Sequence, residues 1–338
     1  MIEIDGSEGE GGGQLLRTGL TLSMLTGQSL RIVRIRARRP RPGLQPQHLA
    51  AVAAAQRISA AGVEGAHVDS QTLVFRPRRV QPGRYEFEIG TAGSCTLVLQ
   101  TILLPLVLAR SSSCVRIVGG THNTAAPPYE FLQRAYLPLI GRMGARVALE
   151  LVRWGFYPRG GGEILLHVQP GELGTLVLIE RGKRLDVRAE ATVAALPRHI
   201  GARELDVVAQ RLALSPKCLE LRELPRDMGP GNVLTLTVRH EHVTEVFTGF
   251  GQRGVPAESV ASTTCLAAER YLAAEAATGR FLADQLLLPL ALVGSGAFTT
   301  TELTSHFESN ATIIAKFLSV KIATRSHGGG WFVELGNR

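Results

Sequence analysis

Hydrophobic positions along the chain fall into runs of two kinds, and these runs follow one another in a fixed order. Runs with apolar residues at helical spacing predict helices, whereas runs in which every second residue is apolar predict strands. In three segments the order is a helix, a strand, a second helix and a hairpin of strands. One order of elements at three places in a chain indicates an internal repeat.

The three repeats match in the kind and order of their predicted elements. The first comprises helix Gln14 to Leu25, strand Leu30 to Arg36, helix Pro46 to Ala61 and returning strands from Ala66 to Phe75. The second comprises helix Ser94 to Ala109, strand Cys114 to Val118, helix Pro128 to Met143 and hairpin Ala145 to Val168. The third comprises helix Phe281 to Val293, strand Gly296 to Thr301, helix Glu308 to Leu318 and hairpin Lys321 to Leu335. Helix pairs on a sheet predict an α+β or α/β fold.

The spacing of the repeats predicts an insertion. About 80 residues separate the first helices of repeats one and two, but about 187 separate those of repeats two and three. The extra residues, 182–278, contain two alternating runs that predict strands and two that predict helices: Asp186 to Val193, Val233 to His240, Ile200 to Leu212 and Ser259 to Ala277. We therefore expect a large three-repeat domain of residues 1–181 and 279–338, interrupted by a small α/β domain of residues 182–278.

The net charge of +8 comes almost entirely from arginine. An excess of positive charge favours a polyanionic or phosphorylated partner. Arginine's planar fork suits bidentate contact with phosphate better than the point charge of lysine. Charge therefore shifts the expectation towards a phosphate-bearing ligand without identifying it.

Cysteine usage and the N-terminus indicate the compartment. Cys95, Cys114, Cys218 and Cys265 show neither paired spacing nor a short metal-ligand interval, so we expect neither a disulfide framework nor a zinc site. The first residues lack the basic and apolar regions of a signal peptide, and the apolar stretch Leu97 to Ala109 is too short to span a bilayer. The prediction is a soluble cytoplasmic protein without membrane contact.

Three consecutive glycines mark the run from Gly155 to Glu163, which also contains two aromatic residues and a proline. It lies between two apolar runs that alternate as strands do, and therefore predicts a wide hairpin tip. Consecutive glycines cost conformational entropy, so we expect them where backbones approach closely.

A second glycine-rich segment, residues 7–14, leads directly into the first predicted helix. Free N–H groups at a helix N-terminus favour an anion, and Glu8 and Glu10 beside such a site suggest a metal ion. A tight structural turn explains the same glycines equally well, because no Gly-Lys-Ser/Thr ending follows. Arg17, one turn into the helix, favours anion binding.

The arginine run Arg34 to Arg41 is followed by Pro42-Gly43-Leu44 and by Gln47-His48 at a helix start. Strand alternation would place Arg34, Arg36 and Arg38 on one face, forming a row of cations for phosphate. The alternative is a solvated strand edge, which basic runs commonly form.

Two further segments could carry chemistry. His306 lies just before the last predicted helix, and its neutral imidazole could attack an electrophilic phosphorus, although capping or packing is the more usual role of a lone histidine. Phe281-Leu282-Ala283-Asp284-Gln285 opens another apolar helix. There Phe281 could stack on a nucleotide base with Asp284 or Gln285 at its edge, or the segment could simply be core.

Together these segments resemble the motifs of the RNA 3'-terminal phosphate cyclases. The glycine-rich segment with Arg17, the arginine run with Gln47-His48, the Gly155 tip, the Phe281 segment and the His306 segment occur in the family's order, and the likeness covers essentially the whole chain. The resemblance implies three repeats like the C-terminal domain of translation initiation factor three, each with two helices and a four-stranded sheet, plus an inserted small α/β domain.

The resemblance also implies an activity. Such a ligase converts an RNA 3'-phosphate end to a 2',3'-cyclic phosphodiester in RNA processing, with ATP as substrate and a divalent metal, magnesium or manganese. His306 would attack the α-phosphorus and carry AMP as a phosphoramidate. The adenylyl group would then pass to the RNA 3'-phosphate, and the neighbouring 2'-hydroxyl would displace AMP.

By the same resemblance, the site residues fall into three groups. The ATP-binding group would be Gln100, Pro128, Phe281, Leu282, Ala283, Asp284 and Gln285, with Phe281 and Pro128 on the two faces of the adenine. The phosphate and RNA group would be Arg17, Arg36, Arg39, Gln47 and His48. Glu10 would bind the metal, and Gln100 would lie near it and the triphosphate.

The chain departs from the family pattern at two positions. Trp154 stands where a basic residue is expected before the signature glycine, and Gly254, beside Arg253, stands where arginine is commoner. Two other functions fit related folds: a non-catalytic cyclase-like RNA-binding protein of ribosome biogenesis, and an enolpyruvyl transferase-like enzyme. His306 disfavours the first, since non-catalytic relatives lack that nucleophile, and the inserted domain together with the His306 segment disfavours the second.

Overall fold

The computed structural model describes residues 1–9 and 11–337. These residues form eight α-helices and four four-stranded sheets of mixed strand direction, which confirms the predicted fold class. Within this described part of the chain, no helix combines the length and the apolar character needed to cross a membrane.

The first repeat folds in the predicted order, preceded by a short edge strand. Its elements are β1 (Ile2–Asp5), α1 (Gly13–Thr26), β2 (Leu30–Val33), α2 (Pro46–Ser59), β3 (Gly62–Glu64) and β4 (Leu73–Arg76). The sheet order is β1-β2-β4-β3, with β1 parallel to β2 and the other pairs antiparallel.

The second repeat has the same plan. Its elements are β5 (Arg84–Glu88), α3 (Cys95–Val107), β6 (Ser113–Gly119), a π-helical stretch (Phe131–Tyr136) that continues as α4 (Leu137–Arg142), β7 (Arg146–Arg153) and β8 (Gly162–Gln169). The sheet order is β5-β6-β8-β7, again with a parallel first pair.

Residues 182–278, called the inserted segment below, follow the short strand β9 (Val177–Leu178). The segment contains β10 (Arg184–Ala194), α5 (His199–Leu212), β11 (Leu219–Leu224), β12 (Gly231–His240), β13 (Thr244–Phe250) and α6 (Ala257–Ala273). Its sheet has the order β11-β10-β12-β13, and α5 and α6 cover a separate small core that includes Val208 and Leu234. The domain boundaries drawn at residues 182 and 278 stay a prediction.

The third repeat closes the chain. Its elements are α7 (Arg280–Val293), β14 (Gly296–Thr300), α8 (Ser305–Phe317), β15 (Val320–His327) and β16 (Gly330–Asn337). Strand β9 pairs in parallel with β14, so the sheet order β15-β16-β14-β9 reproduces the plan of the other repeats. The inserted segment therefore interrupts repeat three between its edge strand and its first helix.

The helices of the three repeats pack on one another. Helix α1 contacts α2 and α3 of the first two repeats and α8 of the third, and one continuous hydrophobic core spans all three repeats. Leu20, Leu99 and Leu286 are fully buried within it. Burial of large aliphatic side chains on a shared helical face stabilises the arrangement and brings the helix ends of different repeats together.

The predicted arginine strand is wrong. Strand β2 ends at Val33, because Arg34 and Arg36 both have left-handed backbone conformations, with φ of 50° and 54°. The chain then turns repeatedly, and the Arg39 N–H donates to the Arg36 carbonyl at 3.0 Å. Arg34, Arg36 and Arg38 therefore do not share a strand face.

Two other predicted elements differ from the structure. The returning strands of repeat one are much shorter than residues 66–75 suggest, since β3 ends at Glu64 and β4 begins at Leu73. The second helix of repeat two begins as a π-helix at Phe131 rather than as an α-helix at Pro128. The remaining predicted helices and strands lie within a few residues of their observed bounds.

The glycine-rich hairpin tip allows the close backbone approach that its sequence predicts. A Cβ on Gly155 would lie only 2.4 Å from the backbone nitrogen of Gly162. Phe156 is buried against Gly231 of the inserted segment, and Trp154 stacks on the buried His122 at 4.2 Å between ring centroids. The tip thus joins repeat two to the inserted segment, with Trp154 in a packing position.

A buried carboxyl group makes the stability of the inserted segment pH-dependent. Burial raises the pKa of Glu204 from 4.5 to about 7, although Asn232 Nδ2 donates to its Oε2 at 2.9 Å. Between these two pKa values the folded chain holds a proton that the unfolded chain releases. The contribution of this proton to the free energy of unfolding is therefore complete below about pH 4.5 and is lost as the pH rises through about 7.

We expect Glu204→Gln to remove this dependence, because a neutral amide fills the site and supplies a donor. In urea titrations at pH 8 the variant should be more stable than the wild type by about 1–3 kcal/mol, with little difference at about pH 5. If the free energy of unfolding changed equally with pH in the two proteins, Glu204 would have to keep its charge in the folded state.

Candidate active site

A cavity of about 920 Å³ lies where the three repeats and the inserted segment meet. Helices α1, α2, α7 and α8 all place N-terminal residues on its wall: Gly13, Gln47, His48, Arg280, Phe281 and His306. Free N–H groups and the positive end of the helix dipole occur at each of these termini. Four helix starts around one cavity therefore favour an anionic ligand.

One side of the cavity is cationic. Arg17, Arg36 and Arg39 line it together with Gln47 and His48, which are the five residues predicted to hold phosphate. Burial lowers the pKa of Arg17 to about 10, but its guanidinium remains charged at neutral pH. Burial also lowers the pKa of Arg36. These incompletely hydrated cations suit the binding of a phosphate group.

His48 is a neutral donor in this wall. Burial, followed by the charges of Arg36 and Arg17, lowers its pKa to about 3. The backbone N–H of Gln45 points at His48 Nδ1 at 3.0 Å, so the neutral ring carries its proton on Nε2. A Cβ on Gly13 would lie 2.7 Å from that Nε2 and 2.9 Å from Arg17 Nη1. Glycine at the start of α1 thus lets both side chains reach the helix N-terminus.

A buried polar network joins the third repeat to the first. Gln14 Nε2 donates to Asp284 Oδ1 at 2.8 Å and to Oδ2 at 2.9 Å, while Gln14 Oε1 contacts His306 Nδ1. Asn310 Nδ2 donates to the Asp284 carbonyl at 3.2 Å, and Thr18 donates to Asn310 Oδ1 at 2.8 Å. The contacts fix α1, α7 and α8 relative to one another at the cavity wall.

His306 is half-buried at this wall. Burial lowers its pKa below the ordinary histidine value, the Asp284 carboxylate opposes that shift, and Arg17 and Arg39 reinforce it. The ring is therefore neutral at neutral pH and has a lone pair on one nitrogen. A neutral imidazole beside cations and helix N-termini can act as a nucleophile towards a bound phosphoryl group.

Predicted base-binding residues line the same cavity. Pro128 and Phe281 both line the cavity, and the Phe281 side chain is 58% exposed, with Arg280 Cζ 4.7 Å from its ring centroid. Gln100 donates from Nε2 to Gln285 Oε1. An exposed aromatic face next to paired amides is suited to a planar base with polar edges.

Two predicted site residues do not line the cavity, and a third is outside the part of the chain that the structure describes. Leu282 and Ala283 are fully buried in the core and face away from the cavity, so we interpret them as packing residues. Glu10, the predicted metal ligand, lies outside the described residues.

The described residues do not form a metal site by themselves. Within residues 1–9 and 11–337, no group of three or more histidine, cysteine, aspartate or glutamate side chains could hold an ion. Asp284 lines the cavity, but both of its carboxylate oxygens accept from Gln14. Magnesium is commonly bound through one or two carboxylates together with substrate phosphates, so Asp284 is one carboxylate of the described wall with the chemistry for such a contact.

The inserted segment forms a wall that the sequence did not predict. Residues at the end of β13 and on the facing side of α6 line the cavity, among them Phe247, Phe250, Val260 and Thr264. No isolated motif indicates this role, because the sequence pattern of these residues is typical of an ordinary strand and an ordinary helix. Gln14 and Asn310 also lie in predicted motifs, and Thr18 lies in the first predicted helix, but the sequence assigns none of them a role.

Comparison with known proteins gives one consistent result. The family model described as RNA 3'-terminal phosphate cyclase matches residues 8–324. A protein of Ralstonia nicotianae named RNA 3'-terminal phosphate cyclase is 53% identical over 328 residues, which cover 96% of this chain and 94% of that protein.

Two further relatives carry the same name. The Koribacter versatilis protein is 51% identical over 95% of this chain and 90% of its own length. The Pseudomonas fluorescens protein is 52% identical over 96% of this chain and 94% of its own length. The similarity therefore extends across both the three repeats and the inserted segment.

Proposed function

Because the chain belongs to the RNA 3'-terminal phosphate cyclase family, we propose that it is an ATP-dependent ligase that closes RNA 3'-phosphate ends into 2',3'-cyclic phosphodiesters. The observation that carries the proposal is His306, a half-buried neutral histidine at a cavity lined by four arginines and four helix N-termini. A cytoplasmic location fits this reaction and stays a prediction.

His306 begins the reaction in our proposal. Its Nε2 lone pair attacks the α-phosphorus of ATP, the bond from that phosphorus to the β-phosphate oxygen breaks, and pyrophosphate leaves with the electron pair. The product is AMP joined to His306 by a phosphorus–nitrogen bond. The cations and helix N-termini of the cavity stabilise the negative charge that accumulates on the phosphate oxygens.

Two transfers complete the cycle. An oxygen of the RNA 3'-phosphate attacks the same phosphorus and displaces His306, which gives an RNA-adenylate. The 2'-hydroxyl then attacks the RNA phosphorus, loses its proton to solvent and expels AMP as the ring closes. Adenylylation supplies the leaving group that a phosphate monoester dianion lacks.

Two sets of residues in the cavity divide the binding of the substrates. Phe281 and Pro128 hold the adenine between them, with Asp284, Gln285 and Gln100 at its polar edge and towards the phosphates. The cationic side holds the phosphates of ATP and then of RNA through Arg17, Arg36, Arg39, Gln47 and His48. A divalent metal, magnesium or manganese, would bind to Glu10 and the triphosphate and neutralise part of its charge; no step above depends on it.

The proposal is tested with a short oligoribonucleotide that ends in a 3'-phosphate. With ATP and magnesium, we expect an end that resists phosphatase and one AMP released per end closed, while the same oligonucleotide with a 3'-hydroxyl stays unchanged. Arg39→Ala and His48→Ala should each slow closure about 10- to 100-fold, because each removes a charge-assisted or buried hydrogen bond to phosphate.

Arg38→Ala is the matched control, since Arg38 is exposed in the same arginine run and does not line the cavity. It should close ends at the wild-type rate. A wild-type protein that modifies the 3'-hydroxyl end, or that closes neither end, would show that the substrate class is wrong.

A further inference from the structure

Gln14 occupies a position that the proposed reaction does not yet use. It lies in the first turn of α1, is 9% exposed and lines the cavity. Its side-chain amide is the direct link between a buried carboxylate, Asp284, and the imidazole of His306. The three residues come from the first and third repeats and are called the Asp284–Gln14–His306 relay.

The orientation of the Gln14 amide is set by its surroundings. Its Nε2 lies 2.8 Å and 2.9 Å from the two Asp284 oxygens, which act as acceptors. A flipped Gln14 amide would place its own oxygen against these carboxylate oxygens. Asn310 Nδ2 also points at Asp284 Oδ1, at 3.4 Å. The amide nitrogen therefore faces Asp284 and the amide oxygen faces His306.

Asp284 is itself held in place. Asn310 Nδ2 donates to the Asp284 carbonyl, which can only accept, and Thr18 donates to the other side of the Asn310 amide. The Asn310 amide thus has one compatible orientation, and its nitrogen holds Asp284 in place beside Gln14.

We propose that Gln14 is a positioning residue that fixes the tautomer of His306: its amide oxygen accepts the Nδ1 proton, so that the lone pair resides on Nε2, the attacking nitrogen. The inference rests on the proposed role of His306 as nucleophile. When Nε2 bonds to phosphorus, the Nδ1 proton remains on the ring, and Gln14 Oε1 continues to accept it through the positive charge that develops.

An amide suits this position better than a carboxylate would. A carboxylate in direct contact with Nδ1 would stabilise the protonated ring and so reduce the fraction of His306 that can attack. Gln14 transmits the orientation set by Asp284 but places no charge against the imidazole. The lowered pKa of His306, despite the nearby Asp284, agrees with this arrangement.

The first test is a measurement on the wild-type protein without ATP. Side-chain nitrogen NMR of histidine labelled with ¹⁵N reports which ring nitrogen carries the proton, and the His306 signal is identified by its loss in His306→Ala. We expect a protonated Nδ1 and an unprotonated Nε2. A proton on Nε2 instead would overturn the proposal, whatever the enzyme's activity.

The second test uses Gln14→Met, which keeps the length of the side chain but cannot accept the Nδ1 proton. We expect the His306 proton to redistribute towards Nε2, and the single-turnover rate of adenylyl transfer at saturating ATP to fall about 100-fold, with less than about threefold change in the ATP concentration for half-saturation. Gln56→Met, at an exposed glutamine of α2, is the control and should match the wild type.

The two readouts keep this inference separate from the proposed function. A tautomer that does not change in Gln14→Met, or one that changes while the transfer rate stays at the wild-type value, would refute the role of Gln14. A wild-type protein that never acquires AMP would refute the nucleophile, and the NMR result would still decide whether Gln14 sets the tautomer.

Discussion

His306→Ala is expected to abolish covalent attachment of AMP to the protein. Wild-type protein incubated with ATP labelled at the α-phosphate, together with magnesium, should acquire a label that acid removes and alkali does not, as a phosphorus–nitrogen bond requires. The variant should acquire none, because alanine offers no lone pair. Among the described residues that line the cavity, His48 is the one other histidine.

His48 is a poor substitute for that nucleophile. Its Nδ1 accepts from the backbone of Gln45, and its Nε2 carries the proton, so neither nitrogen presents a lone pair to the cavity. His199→Ala is the matched control, because His199 is exposed in the first turn of α5 and does not line the cavity. Label that persists in His306→Ala but not in a second histidine variant would assign the nucleophile elsewhere.

Much of the fold could be predicted because buried apolar residues recur in the sequence at the spacing of the helix or strand that contains them. The apolar spacing predicts α1 over residues 14–25, and the helix spans Gly13–Thr26; it predicts α7 over 281–293, and that helix spans Arg280–Val293. Both helices bury most of their length in the shared core, so their apolar spacing is dense. Because the spacing recurs in each repeat, the one long interval between repeats indicates where the inserted segment lies.

The arginine run shows where periodicity fails. Strand β2 stops at Val33 because Arg34 and Arg36 have positive φ, although neither is glycine or asparagine, the residues that signal such a turn. The contacts that stabilise this conformation, such as the ion pair of Arg34 with Asp5, come from the neighbouring strand β1, which is 29 positions away in the sequence. Two members of the run, Arg36 and Arg39, nevertheless line the cavity as the family resemblance suggested.

The relay could not be predicted for a different reason. Gln14 and Asp284 are 270 positions apart, and their contact exists only because α1 packs against α8, which in turn packs against α7. A glutamine in a glycine-rich segment has no periodic or compositional signal that separates it from other glutamines. The wall formed by β13 and α6 is similar, because its residues acquire a role only when the inserted segment packs against the repeats.

Arg17→Met is the second variant expected to have a large effect, with a fall of about 1000-fold in the rate of adenylyl transfer. Arg17 lies one turn into α1, beside Gly13, and its charge lowers the pKa of both histidines of the cavity. In the proposed reaction it also binds a phosphate. Methionine preserves much of the aliphatic volume but removes the charge and the hydrogen-bonding fork.

The same variant should change the pH dependence of the residual activity. In the wild type the charge of Arg17 lowers the pKa of His306, and that contribution disappears in Arg17→Met. The pKa of His306 then rises, so the ring becomes protonated, and loses its lone pair, at a higher pH than before. The acid side of the rate profile, measured by single-turnover labelling between about pH 5 and 9, should therefore move towards higher pH.

Arg38→Met separates this effect from the overall positive charge, since it removes one arginine from outside the cavity. We expect its rate and its pH profile to match those of the wild type. A fall in rate for Arg17→Met with an unshifted acid limb would mean that Arg17 acts on the phosphate alone, because loss of its influence on His306 has to appear as a changed protonation. Equal rates for the two variants would exclude Arg17 from the phosphate site altogether, and the helix N-termini with Arg36 and Arg39 would then hold the anion.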